Sequence, residues 1–250
     1  MHISDSWLEL ATTPRFVVFD TETTGLDPRS DVLVEIGAVM VSHGSIIASL
    51  STLIQPGRPI PPEAGMVNGI TDAMVAHALP LGDALASFEY FVADCPVVAH
   101  NASFDVAFVS NALGYTLPNP AYCTAMMASK LIRGKNRFSL ASLCRRFGIV
   151  NDQAHRALSD AEATARVALA LIEYGKNPPP EHHYIVAEAN TYSIRETLNQ
   201  LGFQWSGSEK QWHIYIQEDK ILEAISPSTV EGTVRVYGIL CREVASDGMK

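Results

Sequence analysis

The stretch Phe16-Val17-Val18-Phe19-Asp20-Thr21-Glu22-Thr23-Thr24-Gly25 constrains this chain more than any other. Its run of aromatic and β-branched residues predicts a strand over 15–21 buried on both faces, as inside a sheet covered by helices. Such a strand gains nothing from ending in acids, yet this one ends in two. Side chains two apart share one face of a strand, so Asp20 and Glu22 project together from an apolar element. Two desolvated carboxylates in that position repel each other unless a cation lies between them. A solvated strand end opening into a turn is the simpler reading, and this stretch alone does not decide.

The surrounding pattern is α/β. Residues 31–42 and 45–54 flank His43-Gly44 and predict an antiparallel hairpin. Helices are expected at 83–92, 103–113, 139–147 and 159–174, with a short buried strand at 95–99. Ser103, Ser139 and Ser159 are the candidate N-caps. In the last helix Ala161, Ala165, Ala168 and Ile172 fall at helical spacing. Three consecutive prolines, Pro178 to Pro180, can neither continue a helix nor join a central strand. Residues 175–181 are therefore read as a linker between a domain over 1–174 and a smaller one over 182–250. The smaller segment reads β-α-β-β-α-β: strand 183–188, helix 193–201, a hairpin around Ser206-Gly207-Ser208, helix 219–225 and strand 233–243. That order suits a small α+β accessory domain of ferredoxin-like type.

Bulk properties exclude several classes. The net charge of −9 argues against a broad basic face that grips duplex nucleic acid. The first fifteen residues contain Asp5 and Glu9 and no long apolar core, so no secretory signal is expected. No apolar run reaches the roughly 18–20 residues of a membrane span. Cys95, Cys123, Cys144 and Cys241 form no C-x-x-C pair, which favours reduced cysteines in a cytoplasmic protein.

Two further segments carry acids at helix starts. In Val97-Val98-Ala99-His100-Asn101-Ala102-Ser103-Phe104-Asp105 a buried strand runs through a loop into a helix, and Asp105 falls in its first turn. In His155-Arg156-Ala157-Leu158-Ser159-Asp160-Ala161, Asp160 opens the last helix and His155 precedes it. Each acid is also what an ordinary helix N-terminus favours. A histidine of ordinary pKa, about 6.5, can accept a proton near neutrality.

The three segments, in this order, resemble the DEDDh 3′–5′ exonucleases, the family that includes the proofreading epsilon subunit of bacterial replicative polymerases. The first is similar to F-D-x-E-T-T-G-L, the second to A-H-N-x-x-F-D and the third to H-x-A-x-x-D-A. The resemblance covers about residues 14–174. It implies an RNase H-like mixed sheet of three antiparallel and two parallel strands, flanked by helices. It implies that Asp20, Glu22, Asp105 and Asp160 hold two Mg²⁺ or Mn²⁺ ions, and oxygen-only ligands suit those hard cations. It implies that His155 takes the proton from the attacking water, and that the enzyme releases nucleoside 5′-monophosphates from 3′ ends.

The same resemblance extends to the substrate pocket. Pro61 to Thr71 is similar to a family segment ending in H-G-I-T. Glu63 is implied to meet the terminal 3′-hydroxyl and the Gly69-Ile70 turn to line the terminal base. Asn68 stands where the family usually has His, and it cannot become cationic. Thr23, Asn101 and Phe104 are implied to border the terminal nucleotide, with Leu26 as a wedge against the base. Phe104 equally suits the core.

Six of the twelve Lys and Arg residues in 1–180 lie between Lys130 and Arg146, with no acid among them. Such a segment could track a single strand, or be a solvated loop. Residues 181–250 are net −4, and their expected role is protein docking. Trp205 and Trp212 flank the hairpin and are expected in the core rather than stacked on bases. The function expected is a two-metal-ion 3′–5′ exonuclease on single-stranded DNA in proofreading or repair. An RNA-trimming or oligoribonucleotide exonuclease shares the same residues. An inactive RNase H-like binding module would be expected to have lost one of the five site residues.

Overall fold

The computed structural model describes residues 3–132, 138–177, 182–187, 194–206, 210–217, 225–227, 234–236 and 239–244. The chain divides into two units, Met1–Asn177 and Pro178–Lys250.

The first unit is built on a six-stranded sheet of β1 (Ile3–Ser4), β2 (Arg15–Thr23), β3 (Leu33–Ser42), β4 (Ser45–Leu53), β5 (Val97–Ala99) and β6 (Ala121–Cys123), in the order β1-β6-β5-β2-β3-β4. β2, β3 and β4 pair antiparallel, while β2, β5, β6 and β1 pair parallel. This is the expected mixed sheet with a two-residue strand added at one edge. His43 and Gly44 turn the β3–β4 hairpin with φ of 49° and 79°, the left-handed pair a two-residue connection needs.

Alternation along β2 divides the core in two. Val17 and Phe19 pack with Phe88, Val106 and Phe108 beneath α4 (Leu81–Val92) and α5 (Ser103–Leu113). Phe16 and Val18 pack on the other face with Leu10, Met127, Leu143, Val167 and Leu171. Those residues come from α1 (Trp7–Ala11), α6 (Thr124–Leu131), α7 (Leu140–Phe147) and α8 (Ala157–Lys176). A smaller cluster of Val34, Ile60, Ile70 and Val75 seats α2 (Pro62–Asn68) and α3 (Asp72–Val75). The same period of two puts Asp20 and Glu22 on the α8 side of β2 and Thr21 on the α5 side.

Two expected caps do not form. α5 begins after Ala102, with no side-chain cap from Ser103. α8 begins at Ala157, two residues before Ser159, because its first amide is satisfied from across the sheet, by Glu35. Ser139 does cap α7, accepting from the Ser142 amide at 3.2 Å. α8 also runs through Gly175 and Lys176, into the segment expected as linker. The indole of Trp7 lies so close to Gly175 that an added Cβ would stand 2.6–2.8 Å from its ring atoms, so the glycine serves packing rather than a break. Pro178–Pro180 lie outside the described residues.

The second unit holds β7 (His182–Ala187), α9 (Arg195–Gln200), β8 (Gln204–Ser206), β9 (Gln211–Gln217), β10 (Ile225–Pro227), β11 (Val234–Val236) and β12 (Ile239–Val244). Its antiparallel sheet has the order β10-β11-β12-β7-β9-β8. The strand expected over 233–243 is two strands, paired with Val236 opposite Ile239. Most of the helix expected at 219–225 lies outside the described residues, and Ile225 belongs to β10. Trp205 and Trp212 sit opposite each other on β8 and β9 with ring centroids 5.6 Å apart, but Trp205 is 51% exposed rather than core. Trp205 is the middle residue of β8, a three-residue strand at the edge of the sheet, paired on one side only among the described strands. Among the described residues no helix is long and apolar enough to cross a membrane.

Candidate active site

The end of β2 and the start of α8 meet over the sheet. Asp20, Glu22 and Asp160 each present a carboxylate oxygen within 4.8 Å of the others, close enough to share a cation. Asp160 lies in the first turn of α8, where the helix dipole favours negative charge. Both of its oxygens are oriented: Asn151 Nδ2 donates to Oδ1 at 2.5 Å, and the His155 amide donates to Oδ2 at 3.0 Å. Ser159 Oγ donates in turn to Asn151 Oδ1 at 2.7 Å.

Asp105 approaches from the α5 side and is 3% exposed. Its Oδ1 accepts from the Thr21 amide at 3.0 Å and the Thr21 hydroxyl at 2.8 Å. It lies outside the group of three, yet its charge raises Asp20 more than any other carboxylate does.

Electrostatics make this a site in need of positive charge. Burial, followed by Asp105, Asp160 and the other carboxylates, pushes Asp20 well above the usual carboxylate range. Burial and then Asp160 push Glu22 up to about 7, against a hydrogen bond from Asn68. Burial pushes Asp105 up to about 7, opposed by its Thr21 hydrogen bonds. Carboxyls so raised favour the folded state when protonated. That contribution is whole below the ordinary value near 4.5 and is lost as pH rises through about 7. The metal-free protein should therefore melt lower near pH 8 than near pH 5–6. Millimolar Mg²⁺ or Mn²⁺ should recover the difference at the higher pH and do little at the lower. Calorimetry with and without EDTA tests this, and a cation effect independent of pH would refute it.

His155 is exposed, immediately before α8, with φ +66°. Asn101 is exposed with φ +59° and opens, with His100, Lys130, Phe138 and Leu140, onto a cleft of about 770 Å³. Leu26 is 84% exposed and Glu63 is exposed on the first turn of α2. Thr23 is buried, its hydroxyl donating to Gly25 O at 2.5 Å. Asn68 ends α2, buried, accepting from the Ile70 amide at 2.9 Å and reaching Thr23 O at 3.5 Å. It thus ties α2 to the end of β2, beside Glu22. The structure does not bring the Ile70 side chain to any surface, since it is fully buried against Val34. Phe104 packs on Phe108, ring centroids 4.7 Å apart, at the margin of the core.

Of the basic run, Lys130 pairs with Asp5 at 2.7 Å, and Arg145 and Arg146 occupy the last turn of α7. Arg146 lies over the Tyr174 ring at 5.7 Å. Arg133, Lys135 and Arg137 lie outside the described residues.

Sequence reasoning missed the residues that assemble this site. Glu35, on β3 opposite Glu22, is 1% exposed and accepts from Arg156 Nη2 at 2.7 Å, from Arg156 Nε at 3.1 Å and from the Ala157 amide at 3.1 Å. Gly37, opposite Asp20, touches the α8 backbone so closely that a Cβ would lie 2.1–2.2 Å from Leu158 N and Ala157 C. A lone acid within Leu33-Val34-Glu35-Ile36-Gly37 was the available signal.

Comparison with known proteins finds relatives over the same part of the chain. A family model described as exonuclease matches residues 17–168. The chain is 33% identical over 192 residues to the DNA polymerase III subunit epsilon of Treponema pallidum, covering 74% of this chain and 88% of that one. It is 38% identical over 165 residues to the PolC-type DNA polymerase III of Thermotoga maritima, of whose length it spans only 12%. Among solved structures, exonuclease X in complex with 5′ overhanging duplex DNA superposes with a TM-score of 0.52 at 32% identity, covering 65% of this chain and 92% of that one.

Proposed function

The chain belongs to the exonuclease family, and from that premise we propose that it removes nucleotides one at a time from the 3′ end of single-stranded DNA, releasing nucleoside 5′-monophosphates. The observation that carries this is the Asp20–Glu22–Asp160 group, in which every charge acting on Asp20 and Glu22 is another carboxylate. Such a site is stabilised when its carboxylate oxygens bind hard cations, so the residues fit a pair of Mg²⁺ or Mn²⁺ ions that Asp20, Glu22, Asp105 and Asp160 would hold. When bound, those ions supply water activation and neutralise charge on both oxygens of the displaced phosphodiester.

The protein's own groups do the rest. Asn151 and the His155 amide aim the Asp160 carboxylate. The His155 imidazole, exposed beside it, accepts the proton of the attacking water. Leu26, Glu63, Thr23 and Asn101 bound the terminal nucleotide, and the strand behind it enters by the cleft that Asn101 and Lys130 line. Two relatives are named as DNA polymerase III proteins, which supports a role in proofreading or repair, and the acidic segment 181–250 is proposed to dock a protein partner.

The test is product analysis on matched DNA and RNA oligonucleotides with Mg²⁺, Mn²⁺ or EDTA. Expected are shortening from the 3′ end, 5′-monophosphate products and silence in EDTA. His155→Ala should keep cation binding but lose about 10²–10⁴-fold in kcat. No digestion with any metal would overturn the reading, and faster digestion of RNA would move the substrate class.

A further inference from the structure

Glu35 looks at first like a fifth member of the acidic cluster. It lies directly opposite Glu22 in the β2–β3 register, on the face that carries Asp20 and Glu22. Its charge reaches both. Its own oxygens, however, are engaged. Arg156 grips both in a two-pronged pair at 2.7 and 3.1 Å, and the Ala157 amide takes the second oxygen again at 3.1 Å. A carboxylate holding three donors, two of them on one guanidinium, with 1% exposure already has its charge met by Arg156, and it lies outside the group of carboxylates close enough to share a cation.

The far end of that pair matters more. Arg156 is the N-cap residue of α8, and no side chain of the helix's own caps it. The residue before it is His155, in a left-handed conformation that a non-glycine side chain holds only when its surroundings impose it. The segment is fastened on both sides of His155: at Asn151, which bonds Asp160 and Ser159, and at Arg156 and Ala157, which bond Glu35. Because the His155 side chain is exposed, its direction follows from the backbone that these two fastenings set. We infer that Glu35, acting through Arg156, is a positioning residue that sets the stance of His155 and is not a ligand of the cation site. The inference rests on the reading of His155 as proton acceptor.

Glu35→Gln in the full chain tests it. Glutamine keeps the size and one oxygen for the Ala157 amide, but loses the charge and one of the two acceptors for Arg156. On a single-stranded DNA oligonucleotide with Mg²⁺, kcat should fall about 10–100-fold with KM nearly unchanged, the usual cost of a misplaced catalytic group. In a His155→Ala background the same substitution should cost less than about threefold, since the group it positions is gone. Full additivity would overturn the inference, because Glu35 would then act on the carboxylates. Arg156→Lys, which keeps the charge without the fork, should fall between parent and Glu35→Gln, and serves if the latter folds poorly. Hydrogen exchange gives a readout independent of turnover: the amides of residues 155–157 should exchange faster in either variant, with the sheet unchanged. Unchanged protection there would overturn the inference even if activity fell. If His155→Ala cuts at the parental rate, the proton-acceptor reading fails, while the exchange result still decides whether Glu35 holds this segment.

Discussion

Replacing Asp20 with asparagine should abolish turnover and at the same time raise the melting temperature of the metal-free protein near pH 8. Both effects come from one cause. Asp20 ends an apolar strand beside Glu22, Asp105 and Asp160, and burial together with their charges pushes its carboxyl well above the usual range. Without a cation, the ionised group is a net cost to the fold. Asparagine is isosteric and neutral, so Asp20→Asn removes that repulsion. A gain of about 1 kcal/mol would shift the melting point of a domain this size by about 2–4 °C. The gain should shrink as pH falls, because the raised carboxyls of Asp20, Glu22 and Asp105 take up protons in the parent. Turnover should drop by at least about 10³-fold, because the charge stabilisation a catalytic cation provides is worth several kcal/mol and each 1.4 kcal/mol is about tenfold. Added Mg²⁺ should stabilise the variant much less than the parent. Thermal melts at two pH values, with and without Mg²⁺, read all of this. A variant both inactive and less stable when metal-free would show that Asp20 serves the fold rather than the cation site.

What is legible in the sequence follows from short-range rules. Asp20 and Glu22 stand out because two residues two apart on one strand must share a face, and the hairpin because His43-Gly44 tolerates left-handed φ. Asp105 and Asp160 stand out because helix first turns favour acids, and the resemblance joins them. What stays hidden depends on pairings across long sequence separations. Glu35 and Arg156 are 121 residues apart, and nothing local tells an acid inside a strand which cation it will meet. The start of α8 departs from expectation for the same reason: its first amide is satisfied by Glu35 from β3, so Ser159 is free to donate to Asn151 instead. Ile70 and Trp205 differ from expectation because burial depends on what covers a residue, and neither local pattern specifies the cover.

The second large effect is expected at a residue with no side chain. Gly37 faces Asp20 across β2–β3, and the backbone of α8 lies directly upon it. A Cβ there would stand 2.1 Å from Leu158 N, 2.2 Å from Ala157 C and 2.5 Å from Ala157 O. These are backbone atoms at a helix start, so no side chain can swing away to make room. Gly37→Ala must lift the first turn of α8, and that turn carries Asp160 and follows Arg156 and His155. Overpacking of this kind costs about 3 kcal/mol, and here it also stretches the Glu35–Arg156 and Glu35–Ala157 bonds. The Asp160 carboxylate would leave the group it forms with Asp20 and Glu22, whose present span is within 4.8 Å. The expected result is a melting temperature lower by several degrees. Turnover should fall at least as far as in His155→Ala, and cation-induced stabilisation should weaken even at temperatures where the variant is folded. Val39→Ala, two residues along on the same face of β3, is the control. It removes buried volume and pushes nothing into the first turn of α8. It should lower stability by about 1–3 kcal/mol while leaving kcat of the folded protein nearly intact. If Gly37→Ala and Val39→Ala behaved alike, the close approach of α8 to β3 would be a matter of packing alone. If only Gly37→Ala loses turnover, the missing side chain at position 37 is what lets a helix start and a strand end bring their carboxylates together.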